Sequence, residues 1–163
     1  MAKLSHFDQA GKSRIVDISV KEPTLRKAVA SGLVRMSVET LTLVRDRGLS
    51  KGDVLEIARI AAIMAAKKTS EIIPLCHPVQ LTSIEIDFKF PDTNSIEISA
   101  TAIGVDRTGL EMEAMTAVAV AGLTIYDMCK SVDREMIVSQ IQLEQKSGGK
   151  SGDFLRTPKD LHE

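Results

Sequence analysis

At 163 residues the chain is long enough to bury a core without disulfide or metal staples. Its 21 Lys and Arg against 22 Asp and Glu give a formal net charge of -1, which argues against a basic nucleic-acid surface; 3% aromatic content with no Trp argues against a base-stacking platform. The apolar residues come in short groups, none approaching the roughly 18–20 that cross a bilayer, and the amino-terminal stretch lacks an apolar signal core.

Residues 1–20 are polar and mixed, an arm with little structure of its own until it docks. From Ala28 the small or apolar residues Ala28, Ala30, Gly32, Val34 and Met36 recur at every second position, which predicts a strand. Ser37 is placed to cap a short helix over Val38 to Arg47, with Gly48 at its end. Ser50 offers a second cap, with Asp53 three residues on in a capping-box-like arrangement. The run that follows puts Val54, Ile57, Ala61, Met64 and Ala65 on one helical stripe, and its wealth of Ala and Ile predicts burial around much of its circumference. Pro74 and Pro78 lie beyond its end.

After Pro78 the period changes to two. Ile84, Ile86, Phe88 and Phe90 alternate with charged residues, Pro91 to Asn94 reads as a turn, and Ile96, Ile98, Ala100 and Ala102 complete a hairpin. Thr108 and Glu111 match a capping box and open a second long helix, whose stripe of Ala114, Ala117, Val118, Ala121, Ile125 and Met128 runs to about Ser131. A last strand over Met136 to Gln145 puts Ile137, Ile141 and Leu143 on one face. The tail over 146–163 is rich in Gly, Ser and Lys and flexible by composition. The order predicts a single α+β domain over 1–163: a ferredoxin-like antiparallel sheet covered by helices on one face.

Three stretches carry chemistry. On the second long helix, Glu113, Thr116, Val120, Thr124, Asp127 and Lys130 fall on one narrow polar stripe at steps of three or four. An Asp/Lys pair at this spacing is ordinarily a solvated ion pair. Here its flanks are Ala, Val, Ile and Met, and Lys130 offsets the unfavourable position of Asp127 near the negative end of the helix dipole. A carboxylate and an ammonium coupled in partial burial are candidates for acid–base work.

The second stretch is Leu75-Cys76-His77 between the two prolines. A residue before proline is driven out of helical geometry, so the loop gives the His77 imidazole a defined direction, for function or simply to bond backbone. Zinc is disfavoured, because Cys76 and His77 are adjacent, Cys129 is distant and no CxxC or HxxxH pair exists. Nothing local activates Cys76 as a nucleophile, so core packing is the simpler role for both cysteines, taken as reduced thiols of a cytoplasmic protein.

The third stretch, Lys146 to Gly152, contains GKS, yet a phosphate loop needs Gly at the position occupied by Glu144. Its glycines and lysines can still wrap an anion with backbone N–H groups, or form a solvated tail. Arg26, Lys51 and Lys67 are further cations near predicted element ends; taken singly, each reads as a surface charge.

Together, AKKTSEIIPLCHP (Ala66 to Pro78), TGLEMEAMTAVAVAGLTIYDMCK (Thr108 to Lys130) and KSGGKSGDF (Lys146 to Phe154) resemble the three signature regions of the cyclic pyranopterin monophosphate synthase family. Asp17-Ile18-Ser19 followed by Lys21, Thr24 and Arg26 resembles its amino-terminal pattern, so the resemblance runs from about Phe7 to Phe154. It implies a step of molybdenum-cofactor biosynthesis, in which a guanosine triphosphate-derived cyclic nucleotide becomes a pyranopterin with a cyclic phosphate and pyrophosphate is released. It implies catalysis by Asp127 and Lys130, and substrate contact by Leu75, Cys76, His77, Met112 and Glu113. Arg26, Lys51, Lys67 and Lys146 would line the same pocket. No redox cofactor is implied, and the assembly is similar to a homohexamer, a trimer of dimers. A non-catalytic nucleotide-binding subunit or a structural oligomer module of the same fold are the rival readings.

Glu113 and Asp127 are fourteen residues apart, about 21 Å along one helix, too far to converge on one atom within a subunit. Either they hold opposite ends of a long substrate or two chains build the site. The Ala- and Gly-rich stripe permits close approach of another element, which favours a shared site.

Overall fold

The computed structural model describes residues 6–7, 10–46, 53–150 and 152–157. The elements in chain order are β1 (Thr24–Arg35), α1 (Val38–Arg45), α2 (Val54–Lys67), α3 (Thr69–Ile72), β2 (Leu81–Lys89), β3 (Ser95–Asp106), α4 (Glu111–Cys129), β4 (Ile137–Ser147) and β5 (Phe154–Leu155). The strands form one antiparallel sheet in the order β2-β3-β1-β4-β5, so the fold is α+β. Twelve residue pairs, from Thr24 with Asp106 to Arg35 with Ser95, lock β1 against β3.

The alternation read from the sequence decides which sheet face is buried. Ala28, Ala30, Val34, Ile96, Ile98, Ala100 and Ala102 are fully buried on the side that α4 and α2 cover. The opposite side carries polar groups such as Ser31, Glu97, Gln142 and Glu144 around a shallow trough. Small residues set the spacing between layers. A Cβ on Gly32 would come within 2.5 Å of Val118 on α4, so glycine lets the helix sit directly on the strand. The small residues of α4, including Ala117, Ala121 and Gly122, are buried within the chain's own domain, Gly122 against Val34 and Val138 of the sheet, and not left open for a second subunit.

Several local readings need correction. Ser37 caps α1 through Thr40 N–H at 3.1 Å as predicted, while Gly48 and Ser50 lie outside the described residues. Asp53 is not the third residue of α2; it is the cap, accepting from the Leu55 and Glu56 N–H groups at 3.1 Å each. The buried face of α2 is Ala58, Ala62, Ala65 and Ala66, because only alanine allows close contact with α4; Ile57, Ile60 and Met64 are left 44–52% exposed. Thr108 does not cap α4, which begins after Leu110 with no side-chain cap, and the Glu111 carboxylate reaches Lys146 instead. In β4, Gln140 adopts φ +53 and the pairing with β1 slips, so Val138 before the bulge and Leu143 after it face the core, whereas Ile137 stays exposed. The tail is not unstructured throughout, since β5 folds back onto β4. Among the described residues α4 alone has the length and composition to cross a membrane, contrary to the sequence reading, and half of that stretch is buried in the domain.

Candidate active site

The loop after α3 and the start of α4 meet at one end of the sheet. The chain turns at Ile73–Leu75, with the Cys76 N–H bonded to the Ile73 carbonyl at 3.1 Å, and runs extended through His77 into β2. This brings Leu75, Cys76 and His77 opposite Met112 and Glu113, and the five line one cleft of about 400 Å³. Val16, Ile18 and Lys21 close its other wall. The amino-terminal arm is therefore docked in this structure, pinned in part where Arg107 Nη1 donates to the Ser19 carbonyl at 3.1 Å. His6 also lines the cleft, and its Nδ1 is buried with no hydrogen-bond partner among the described residues.

Glu113 is the unusual group. Its residue is 3% exposed, and burial pushes its carboxyl up from 4.5 to about 7, with Glu111 and Asp106 adding repulsion. Its own backbone N–H opposes the rise. A carboxylate in the first turn of a helix normally gains a few tenths to about 1 kcal/mol from the dipole. Desolvation outweighs that here, and the neighbouring Lys146 pairs with Glu111 at 3.2 Å. Burial, then Glu113, also pushes the Cys76 thiol upward, which disfavours a thiolate nucleophile. Asp17, at the cleft's edge, is held below its usual range by the Ser19 N–H at 2.9 Å and the Ser19 hydroxyl, with a small contribution from His77.

Lys21, Thr108, Gly109 and Glu111 are shared with a second cavity of about 800 Å³, lined further by Arg26, Arg107, Gly149 and Lys150. Arg26 organises its floor. Its Nε donates to the Asp106 carbonyl at 3.3 Å, Nη1 to Gly148 at 3.2 Å and Nη2 to Arg107 at 3.4 Å, tying three segments around one cation. Gly148 and Gly149 have φ of +90 and +81, and a Cβ on Gly149 would strike the Arg26 guanidinium. The glycines of the tail are thus what let the loop lie against the arginine.

The structure brings six of the eleven candidate residues into the two joined cavities, five in the first and Arg26 in the second, and sets Lys146 at their boundary. Lys67, exposed in the last turn of α2, lines neither. Lys51 lies outside the described residues. Asp127 and Lys130 form the ion pair that the sequence suggests, at 2.6 Å, yet their side chains are 64% and 52% exposed at the far end of α4. The expected partial burial of this pair is therefore not met within one chain. Its hydrogen bond to Asp127 raises Lys130 further above its ordinary value. Sequence reasoning gave no site role to Val16, Ile18, Lys21 or Thr108, while Lys150 belongs to the loop read as able to wrap an anion. The apolar pair Val16 and Ile18, two positions apart, was the available signal for docking of the arm.

Residues 15–149 match the MoaC family. The chain belongs to the MoaC family. Among its MoaC relatives, proteins named cyclic pyranopterin monophosphate synthase include that of Brevibacillus brevis, 51% identical over 157 residues and spanning 96% of this chain and 98% of the relative. That of Heliobacterium modesticaldum is 52% identical over 157 residues, spanning 96% and 99%. That of Thermomicrobium roseum is 54% identical over 157 residues, spanning 96% and 95%.

Proposed function

We propose that this chain is a cyclic pyranopterin monophosphate synthase, acting in molybdenum-cofactor biosynthesis on a cyclic dihydroguanosine triphosphate. The observation that carries the reading is the adjacency of two unlike cavities: a cleft with a buried carboxyl and an imidazole, sharing the wall of Lys21, Thr108, Gly109 and Glu111 with a cavity floored by Arg26 and a glycine loop. Such a site fits a nucleotide whose base and phosphates need opposite environments. The names and near-full-length identity of the relatives support the same reaction.

In this reading Glu113, His77 and the Leu75–Cys76 backbone hold the base end, while Arg26, Lys146 and Lys150 hold the triphosphate. A ribose-derived hydroxyl then attacks the α-phosphorus, the bond to the bridging oxygen breaks, and pyrophosphate leaves. Positioning and charge neutralisation carry that step. Asp127 and Lys130 move protons during purine opening and pterin closure. Because Asp127 stands about 21 Å from Glu113 along α4 and Lys130 farther still, they serve the cleft of another copy in a cytoplasmic homo-oligomer, a trimer of dimers. Lys67, exposed at the end of α2, is a further cation available to the phosphates. The exposed Ile57, Ile60 and Met64 on α2 supply apolar surface for such an assembly. No redox cofactor takes part in these steps. Purified protein mixed with the cyclic substrate should release one pyrophosphate per substrate consumed; binding without release would indicate a non-catalytic nucleotide-binding subunit.

A further inference from the structure

On the sheet face turned away from the helices, three groups converge on the Glu144 carboxylate of β4. Ser31 Oγ donates to Oε1, Gln142 Nε2 donates to the same oxygen at 2.8 Å, and Arg156 Nε lies 3.8 Å from Oε2. Arg156 also holds the backbone of β4. Its Nε donates to the Leu143 carbonyl at 2.7 Å, and its own N–H donates to the Glu144 carbonyl at 2.8 Å.

These contacts matter because the strand they adjoin is so short. β5 offers only two pairs, Gln145 with Leu155 and Lys146 with Phe154. A two-residue strand holds little by itself, so Arg156 supplies much of what keeps this segment against β4. Between the two sides of the fold-back runs the glycine loop. Within it the Gly148 N–H donates to Asp153 at 3.3 Å, the Gly148 carbonyl accepts from Arg26, and Gly149 and Lys150 line the basic cavity.

We infer that Arg156 is a positioning residue: with the Glu144 carboxylate beside it, it clasps the outgoing end of the glycine loop to the sheet, so that Gly149 and Lys150 are set at the cavity before a phosphate arrives. This rests on the proposed use of that cavity for the triphosphate. Neither residue lines the cavity, so the clasp acts on binding through the loop. The ion pair is exposed and long, hence weak; the hydrogen bonds carry the effect. Losing one ordinary hydrogen bond shifts a docked–undocked equilibrium by roughly two- to tenfold, and a loop docked only part of the time binds correspondingly less well.

The test uses the full chain, with inorganic pyrophosphate as probe in calorimetry and the cyclic substrate in steady-state assays. Arg156→Ala should raise the pyrophosphate Kd and the substrate KM by roughly three- to tenfold, leave kcat within about twofold, and speed amide exchange over 147–150. Because Arg156 is exposed, the fold should survive, and Arg156→Gln serves as a second variant with the same expectation. Arg156→Ala/Glu144→Gln should bind no worse than Arg156→Ala, since both act through one clasp. Unchanged Kd and KM, or a fall in kcat alone, would overturn the clasp while leaving the proposed function standing. Wild-type protein that binds no pyrophosphate and releases none would overturn both.

Discussion

Replacing Glu113 by Gln probes the site through stability, independently of turnover. Glutamine keeps the shape of the side chain and removes its titration. In the folded protein burial raises the carboxyl from 4.5 to about 7. The folded state therefore binds a proton that the unfolded chain has already released across that interval. Stability from this group is fully present below about 4.5 and is lost as pH rises through about 7, the reverse of an acid held by a cation. At 1.36 kcal/mol per pH unit, the interval corresponds to roughly 2–3 kcal/mol after some hydration from the cleft is allowed for. Chemical unfolding of wild type and Glu113→Gln at pH 4.5 and pH 8 should show the variant gaining about that much relative to wild type at the higher pH. Taking the difference between the proteins cancels the opposite contributions of Asp17, Asp92 and Asp133, whose carboxyls are all lowered. A stability difference that does not change with pH would refute the claim that Glu113 is destabilised by burial.

Asp127→Asn and Lys130→Ala should fold normally, because both side chains are exposed, yet lose roughly 10²- to 10⁴-fold in kcat if they transfer protons; near-full turnover would remove them from the mechanism. Gly149→Ala forces a side chain into a left-handed conformation and against Arg26, so pyrophosphate affinity measured by calorimetry should fall with little change in melting temperature. Gly32→Ala, 2.5 Å from Val118, should cost about 1–3 kcal/mol in denaturant unfolding through overpacking between β1 and α4.

Much of the fold was legible because its signals are local. The period-two runs in β1 and the hairpin, and the long stripe of α4, follow from which residues face one layer. The errors came where a distant partner decides. Glu111 completes a capping box in sequence, but Lys146 from β4 takes its carboxylate. Ile57 and Met64 look like the core of α2, but contact with α4 selects the alanine face. The bulge at Gln140 changes the facing of β4 without any glycine or proline to announce it. The site divides in the same way. Leu75 to His77 and Met112 to Glu113 carry recognisable sequence, and the fold brings them together. Val16, Ile18 and Lys21 join the same wall only because a polar arm docks there, and an arm's destination is not written in its composition. The high pKa of Glu113 was equally out of reach, since it arises from three-dimensional burial.

In the proposed shared site, Glu113 of one copy works with Asp127 and Lys130 of another. Glu113→Ala and Asp127→Asn chains, each inactive alone, can be co-expressed and assayed for pyrophosphate release from the cyclic substrate. Random pairing across a two-fold interface with two shared sites should leave some sites with both native residues, restoring activity to about a quarter of wild type. Mixed assemblies as inactive as either parent would contradict the shared site.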